Sequence, residues 1–204
     1  MMYDISPLID ERTAVWPGDE PYSYRQSLRL HDGDTVDLSD VRLSCHTGAH
    51  ADAPSHFLAS APTIDEVALE SYVGPCTLID VRPAGGIVHP TDLGSRKLER
   101  RVLFRTRDRA DRTVFSEVFT HLSVELVHHL EAHQVQLLGL DTPSVDAFDS
   151  TDLPVHKALH EAGILNLESL DLTGVPCGNY ELIALPLRLA GRDASPVRAI
   201  LRTL

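Results

Sequence analysis

His46-Thr47-Gly48-Ala49-His50-Ala51-Asp52-Ala53-Pro54-Ser55-His56 is the stretch on which the reading of this chain turns. It holds three imidazoles and one carboxylate, separated by the small residues Gly48, Ala49, Ala51 and Ala53. Imidazole and carboxylate are donors that suit zinc and its neighbours in the first transition row. All four polar groups fall on even positions, and successive residues of an extended chain face opposite sides, so an extended segment aims them one way. A helix would carry Asp52 and His56 away from His46, and Gly48 and Pro54 both disfavour one. The segment is therefore expected to be an extended loop built around a metal ion. By the same alternation Cys45 points to the opposite face and is not expected to ligate.

Two residues farther along extend the donor set. His156 follows Pro154, a helix-opening residue, on a helix expected to run to Ala162, with Gly163 at its C-terminal cap. Glu168 lies within Ile164–Leu170, which reads as a mostly buried strand. An unpaired buried carboxylate costs several kcal/mol or is forced to protonate, and coordination to a cation removes that cost. An arginine ion pair or an exposed strand face would account for Glu168 equally well at this level.

The rest of the pattern is that of an α/β domain with a mixed sheet. Strands are expected at Tyr3–Ile9, Cys76–Val81, Val102–Thr106, Val135–Leu140, Glu181–Leu189 and Val197–Leu201. Tyr22–Leu30 and Thr35–Cys45 alternate around His31-Asp32-Gly33-Asp34 and read as a β-hairpin leading into the histidine cluster. Apolar residues at helical spacing predict a helix over Ser123–Gln134. His129 and His133 stand one turn apart on it, the spacing of a shared metal. No carboxylate accompanies them, and with His121 and His128 they read as a solvated or subunit-contact face.

The 204 residues form one expected domain, 43% hydrophobic and 24% charged, with no repeat or linker. Eighteen basic against 30 acidic side chains leave a formal charge of −12 with no basic stripe, which argues against nucleic-acid or anionic-membrane partners. Three scattered cysteines make no disulfide framework, and no signal-length apolar run is present, so a cytoplasmic protein is expected. Gly85-Gly86 lacks any phosphate-loop context, and Ser55 lacks triad partners.

With these residues in view, the chain resembles the bacterial kynurenine formamidases (arylformamidases), within the wider group of cyclase-like metal-dependent hydrolases. The resemblance rests on residues 46–56 and on Trp16-Pro17-Gly18-Asp19 upstream. It continues through Gly139-Leu140-Asp141-Thr142-Pro143-Ser144-Val145-Asp146, His156 with its helix, Asn166-Leu167-Glu168, Tyr180–Leu187 and Ser195–Ala199. It implies a swivelling β/β/α domain, usually a homodimer, with zinc the usual metal, two ions per subunit, and manganese as the alternative. It further implies His46, His50 and Asp52 as ligands of a first ion, with Asp52 bridging to a second. His156 would bind the second ion and Glu168 would touch both. His56 would be the catalytic histidine, and Trp16 would pack on the substrate. The implied reaction is hydrolysis of N-formyl-L-kynurenine to L-kynurenine and formate by a metal-activated bridging water, in tryptophan degradation. A hydrolase of a cyclic amide or lactone, of the isatin-hydrolase kind, would need the same loop. A non-catalytic metal-binding module is the reading from another class.

Overall fold

Val102-Leu103-Phe104 and Leu137-Leu138-Gly139-Leu140 lie at the centre of the sheet and divide its side chains between two cores by simple alternation. Val102, Phe104, Leu138 and Leu140 face the helices, whereas Leu103 and Leu137 face the opposite side. The computed structural model describes residues 1–109 and 111–204. In chain order the strands are Met2–Asp4 (β1), Ser23–Leu28 (β2), Leu38–Arg42 (β3), His50–Asp52 (β4) and Val73–Asp80 (β5). Ile87–Val88 (β6), Arg101–Arg105 (β7), His121–Leu122 (β8), Leu137–Leu140 (β9) and Leu165–Glu168 (β10) follow. Gly178–Ile183 (β11), Ala194–Pro196 (β12) and Ile200–Thr203 (β13) complete them. The helices are Pro90–Leu93 (α1), Val124–Ala132 (α2) and Pro154–Glu161 (α3).

Nine strands make one curled mixed sheet in the order β1-β13-β11-β5-β7-β9-β10-β4-β12. Its centre, β5-β7-β9-β10, is parallel, and every pairing outside it is antiparallel. Parallel strands need covered faces, and α2 and α3 cover one of them with Leu126, Val127, Leu130, Val155, Ala158 and Leu159. The other face closes on the curl of the sheet itself, where Ile5, Ala49, Ala51, Ala53 and Tyr72 pack on Leu78, Leu103 and Leu167. The expected α/β fold with a mixed sheet is what the chain forms.

Gly139 belongs to this packing. A Cβ there would stand 2.5 Å from Leu103 Cδ2 and 2.9 Å from Leu170 Cδ1, so these two side chains fill the space a larger residue would need.

Several boundaries differ from expectation, each for a local reason. The first strand stops at Asp4, because Ser6 and Asp10 turn the chain by accepting or donating local hydrogen bonds. The strand expected over Glu181–Leu189 begins earlier, at Gly178, and ends at Ile183, and the final strand moves to Ile200–Thr203, where Leu201 can face Tyr3. The short strand β12 is unforeseen. The hairpin forms as expected from β2 and β3, yet it stands off the main sheet with every residue of β3 exposed.

Candidate active site

The cluster segment is extended only in its middle. Across β4, Ala49, Ala51 and Ala53 enter the core while His50 and Asp52 face the other way, as alternation requires. At one end Gly48 adopts φ +66°, a left-handed turn, and its absent side chain admits Ile9 to 3.0 Å of where a Cβ would be. At the other end Pro54–His56 forms a 3-10 turn. The single extended run expected over 46–56 is thus replaced by a short strand with a turn at each end. The turns bring His46 and His56 back together, their ring centroids 4.3 Å apart.

Strand register supplies the next donors. β4 lies antiparallel to β10 with His50 opposite Glu168. On the same face Asn166 Nδ2 donates to Asp52 Oδ2 at 2.7 Å and to Glu168 Oε1 at 3.1 Å. The backbone N–H of Val145 also donates to Glu168 Oε1, at 3.0 Å. No arginine neutralises this carboxylate among the described residues, so the ion-pair alternative for Glu168 falls away.

His156 arrives from the first turn of α3. The cap there is Asp146, whose carboxylate accepts from Val155 N at 3.0 Å and His156 N at 3.1 Å, satisfying two of the orphan donors of a helix start. Asp146 Oδ2 also lies 2.7 Å from His156 Nδ1. A carboxylate only accepts, so Nδ1 carries the proton and Nε2 is turned inward. Nε2 stands 3.6 Å from Asp52 Oδ2 and 3.5 Å from Glu168 Oε1. His50 is oriented likewise, with Nδ1 2.8 Å from the Gly48 carbonyl and Nε2 3.5 Å from both Asp52 Oδ1 and Glu168 Oε2. His46 sets Nδ1 3.0 Å from Asp52 Oδ1 and Nε2 3.0 Å from Asp193 Oδ2.

All five expected ligands therefore converge, as two groups that share Asp52: His46, His50 and Asp52, and Asp52, His156 and Glu168. A cation fits this set on the evidence of two atoms. His50 Nε2 and Asp52 Oδ1 are fully buried and make no hydrogen bond of good geometry, although charged groups stand 3.0–3.5 Å from them, and buried atoms of that kind are costly unless an ion satisfies them. The electrostatics point the same way. Burial alone would lower the His156 pKa, but Asp146, Asp52 and Glu168 outweigh it and push it up to about 12. Burial likewise opposes a charged His46, and Asp52 with Asp193 raises it to about 9. His50 is raised against its burial by Glu168 and Asp52. Burial would raise the two carboxyls, yet His156 with His46 holds Asp52 well below its ordinary value, and His156 with His50 holds Glu168 low.

A cleft of about 340 Å³ opens onto this cluster. His46, His50, His56, His156 and Glu168 line its floor, and Trp16, Phe115 and Phe119 line a wall. Trp16 meets Phe115 edge-on at 5.3 Å and lies tilted against Phe148 at 5.1 Å. Two non-glycine residues in the strained left-handed region, Leu153 (φ 47°) and Ser169 (φ 56°), border the cleft next to α3 and Glu168. The rings of His129 on α2 and His133 at its C-terminal cap lie 4.3 Å apart, and neither lines this cleft.

Sequence reasoning missed Asp193 and assigned no role to Asp146 or Asn166. Asn166 had a signal, since two residues before Glu168 on a strand is the same face. Asp146 had a weaker one, an acid upstream of a proline-opened helix. Asp193 had none, because only the pairing of β12 with β4 brings it in.

The family model described as "Putative cyclase" matches residues 3–147. A kynurenine formamidase of Salinibacter ruber is 43% identical over 205 residues, covering 98% of this chain and 97% of that protein. A solved structure described as a potential metal-dependent hydrolase with cyclase activity superposes with a TM-score of 0.84 at 27% identity, covering 98% of this chain and 96% of the other. Isatin hydrolase A from Labrenzia aggregata superposes with a TM-score of 0.83 over 98% of this chain and 93% of its own, but at 22% identity it shares the fold alone. The chain belongs to the cyclase family and, within it, to the kynurenine formamidase group.

Proposed function

We propose that this chain, acting as one domain over residues 1–204, is a metal-dependent amidohydrolase that converts N-formyl-L-kynurenine to L-kynurenine and formate. The single observation that carries this reading is the convergence of His46, His50, Asp52, His156 and Glu168 beneath an aromatic-walled cleft, in a chain 43% identical to a kynurenine formamidase. An open cleft at the donor cluster favours catalysis over a closed, structural metal module.

His46, His50 and Asp52 would hold one zinc ion, and Asp52, His156 and Glu168 a second. When bound, zinc supplies Lewis acidity, polarising the formyl oxygen and lowering the pKa of water toward ~7. His56 lies at the cleft with Nδ1 toward Asp193, which leaves Nε2 to take a proton from the attacking water and return it to the departing aryl nitrogen. Trp16, with Phe115 beside it, offers a flat apolar surface to the aryl ring, a contact worth about 0.5–1.5 kcal/mol beyond burial. Phe119 extends that wall.

The exposed ribbon of β2 and β3, with Tyr24, Leu38 and Val41 each more than half exposed, supports a homodimer built from these apolar side chains. The free cysteines Cys45, Cys76 and Cys177 are in keeping with the cytoplasm. No helix among the described residues is long and apolar enough to cross a membrane.

The test is turnover of N-formyl-L-kynurenine and isatin side by side by the wild type and His56→Ala. Preference for the formamide, lost in a variant that retains its metal, is expected. Preference for isatin would replace this reading with the cyclic-amide one, and full activity of His56→Ala would remove the proton-transfer role.

A further inference from the structure

The chemistry proposed for the cleft uses five ligands and His56, and Asp193 enters it only as the group toward which His56 Nδ1 points. Its position is nevertheless fixed from several sides. Asp193 immediately precedes β12, whose Ala194 stands opposite Asp52, and its carbonyl accepts from Ala53 N at 2.8 Å. The backbone that carries the ligands therefore also carries this carboxylate. One atom, Oδ2, lies 3.0 Å from Nε2 of His46 and 3.4 Å from Nδ1 of His56. The second distance is long, as hydrogen bonds of catalytic groups often are before substrate is bound. A carboxylate oxygen accepts hydrogen bonds, and both nitrogens that face it belong to imidazoles, which can donate.

We propose that Asp193 is a positioning residue serving two imidazoles through one oxygen. It holds the proton of His46 on Nε2, so that Nδ1 is the ligating nitrogen, and the proton of His56 on Nδ1, so that Nε2 is the nitrogen that exchanges protons. The physical basis is tautomer selection: whichever ring nitrogen faces an ionised carboxylate carries the hydrogen, and the opposite nitrogen keeps its lone pair. A carboxylate oxygen has lone pairs for both contacts. Asp146 does the same for His156, and the Gly48 carbonyl for His50, so every ligating imidazole then has its second nitrogen engaged. Asp193 differs in also reaching the histidine that is not a ligand. The His56 half of this assignment rests on the function proposed above, whereas the His46 half rests only on the donor geometry. His46, His56 and Asp193 are also close enough to hold an ion among themselves, which is the competing assignment.

The experiment compares wild type, Asp193→Ala, Asp193→Asn, His56→Ala and the Asp193→Ala/His56→Ala double variant. Zinc affinity is measured by competition with a chromophoric chelator, zinc content at saturation by elemental analysis, and kcat and KM with N-formyl-L-kynurenine at saturating zinc. Asp193→Ala is expected to weaken zinc binding by about 10- to 100-fold, in the wild-type and His56→Ala backgrounds alike. At saturating zinc it should lower kcat by about the same factor with KM little changed, and cause no further fall once His56 is gone. Asp193→Asn keeps an oxygen acceptor in place and should recover most of the zinc affinity, which separates positioning from misfolding. Unchanged affinity and kcat in Asp193→Ala would overturn the proposal, as would a kcat loss of full size in the double variant. Loss of one bound zinc ion in Asp193→Ala or His56→Ala would instead make these residues ligands and also overturn it. Wild-type turnover by His56→Ala would remove the proposed proton carrier, yet the zinc-affinity comparison would still decide the link between Asp193 and His46.

Discussion

Asp146 Oδ2 lies 2.7 Å from His156 Nδ1 while the same carboxylate caps the helix on which His156 stands. One side chain thus sets the start of α3 and the direction of the His156 imidazole. Asp146→Ala should remove both, costing about 1–2 kcal/mol of stability in the metal-free protein through the lost cap. It should also weaken zinc binding by about 10- to 100-fold. Denaturant unfolding of the chelated variant measures the first effect, and chelator competition the second. A variant with wild-type zinc affinity would mean that His156 needs no such support.

Zinc binding should tighten with rising pH. His46, raised to about 9 by Asp52 and Asp193 against its burial, and His156, raised to about 12 by Asp146, Asp52 and Glu168 against its own, hold protons in the ion-free chain at neutral pH. A folded-state value above the unfolded one means that this pairing stabilises the ion-free fold fully below the ordinary histidine value of 6.5. It is lost as pH rises through about 9 and then about 12. An arriving ion must displace such protons. Affinity is therefore expected to rise between about pH 6 and about pH 8, with proton release visible by calorimetry in buffers of different ionisation enthalpy. Constant affinity without proton release would contradict this electrostatic picture.

Much of this centre was legible in the sequence. The alternation of Ala49, Ala51 and Ala53 with His50 and Asp52 announced both the core face and the donor face, and Pro154 with Gly163 bounded α3 closely. The turns at Gly48 and Pro54–His56 were less legible, because periodicity speaks of sides and not of where a chain doubles back. β12 escaped because Ala194, Ser195 and Pro196 carry little strand propensity. That strand forms because β4 offers it an edge, and Asp193 came to light only with it.

Gly139→Ala is a prediction about the fold and not the chemistry. The added methyl would meet Leu103 and Leu170 at 2.5 and 2.9 Å, so overpacking should destabilise the protein by about 1–3 kcal/mol. Urea unfolding measures this. Equal stability would show that the Leu103 and Leu170 side chains can shift to admit the methyl.

Trp16→Ala should act on substrate binding. Losing the aromatic contact is expected to raise KM for N-formyl-L-kynurenine by about two- to twelvefold, the equivalent of about 0.5–1.5 kcal/mol, with zinc content unchanged. Steady-state kinetics with metal analysis of the same sample checks it. An unchanged KM would place the aryl ring elsewhere in the cleft.

The central claim is that His46, His50, Asp52, His156 and Glu168 gather around metal ions without which the cleft does no chemistry. The most direct measurement is elemental analysis of the purified protein paired with N-formyl-L-kynurenine turnover before chelation, after it, and after zinc is restored. Bound zinc, activity that disappears with it, and recovery on its return are the expected results. Undiminished turnover by protein free of metal would contradict the account.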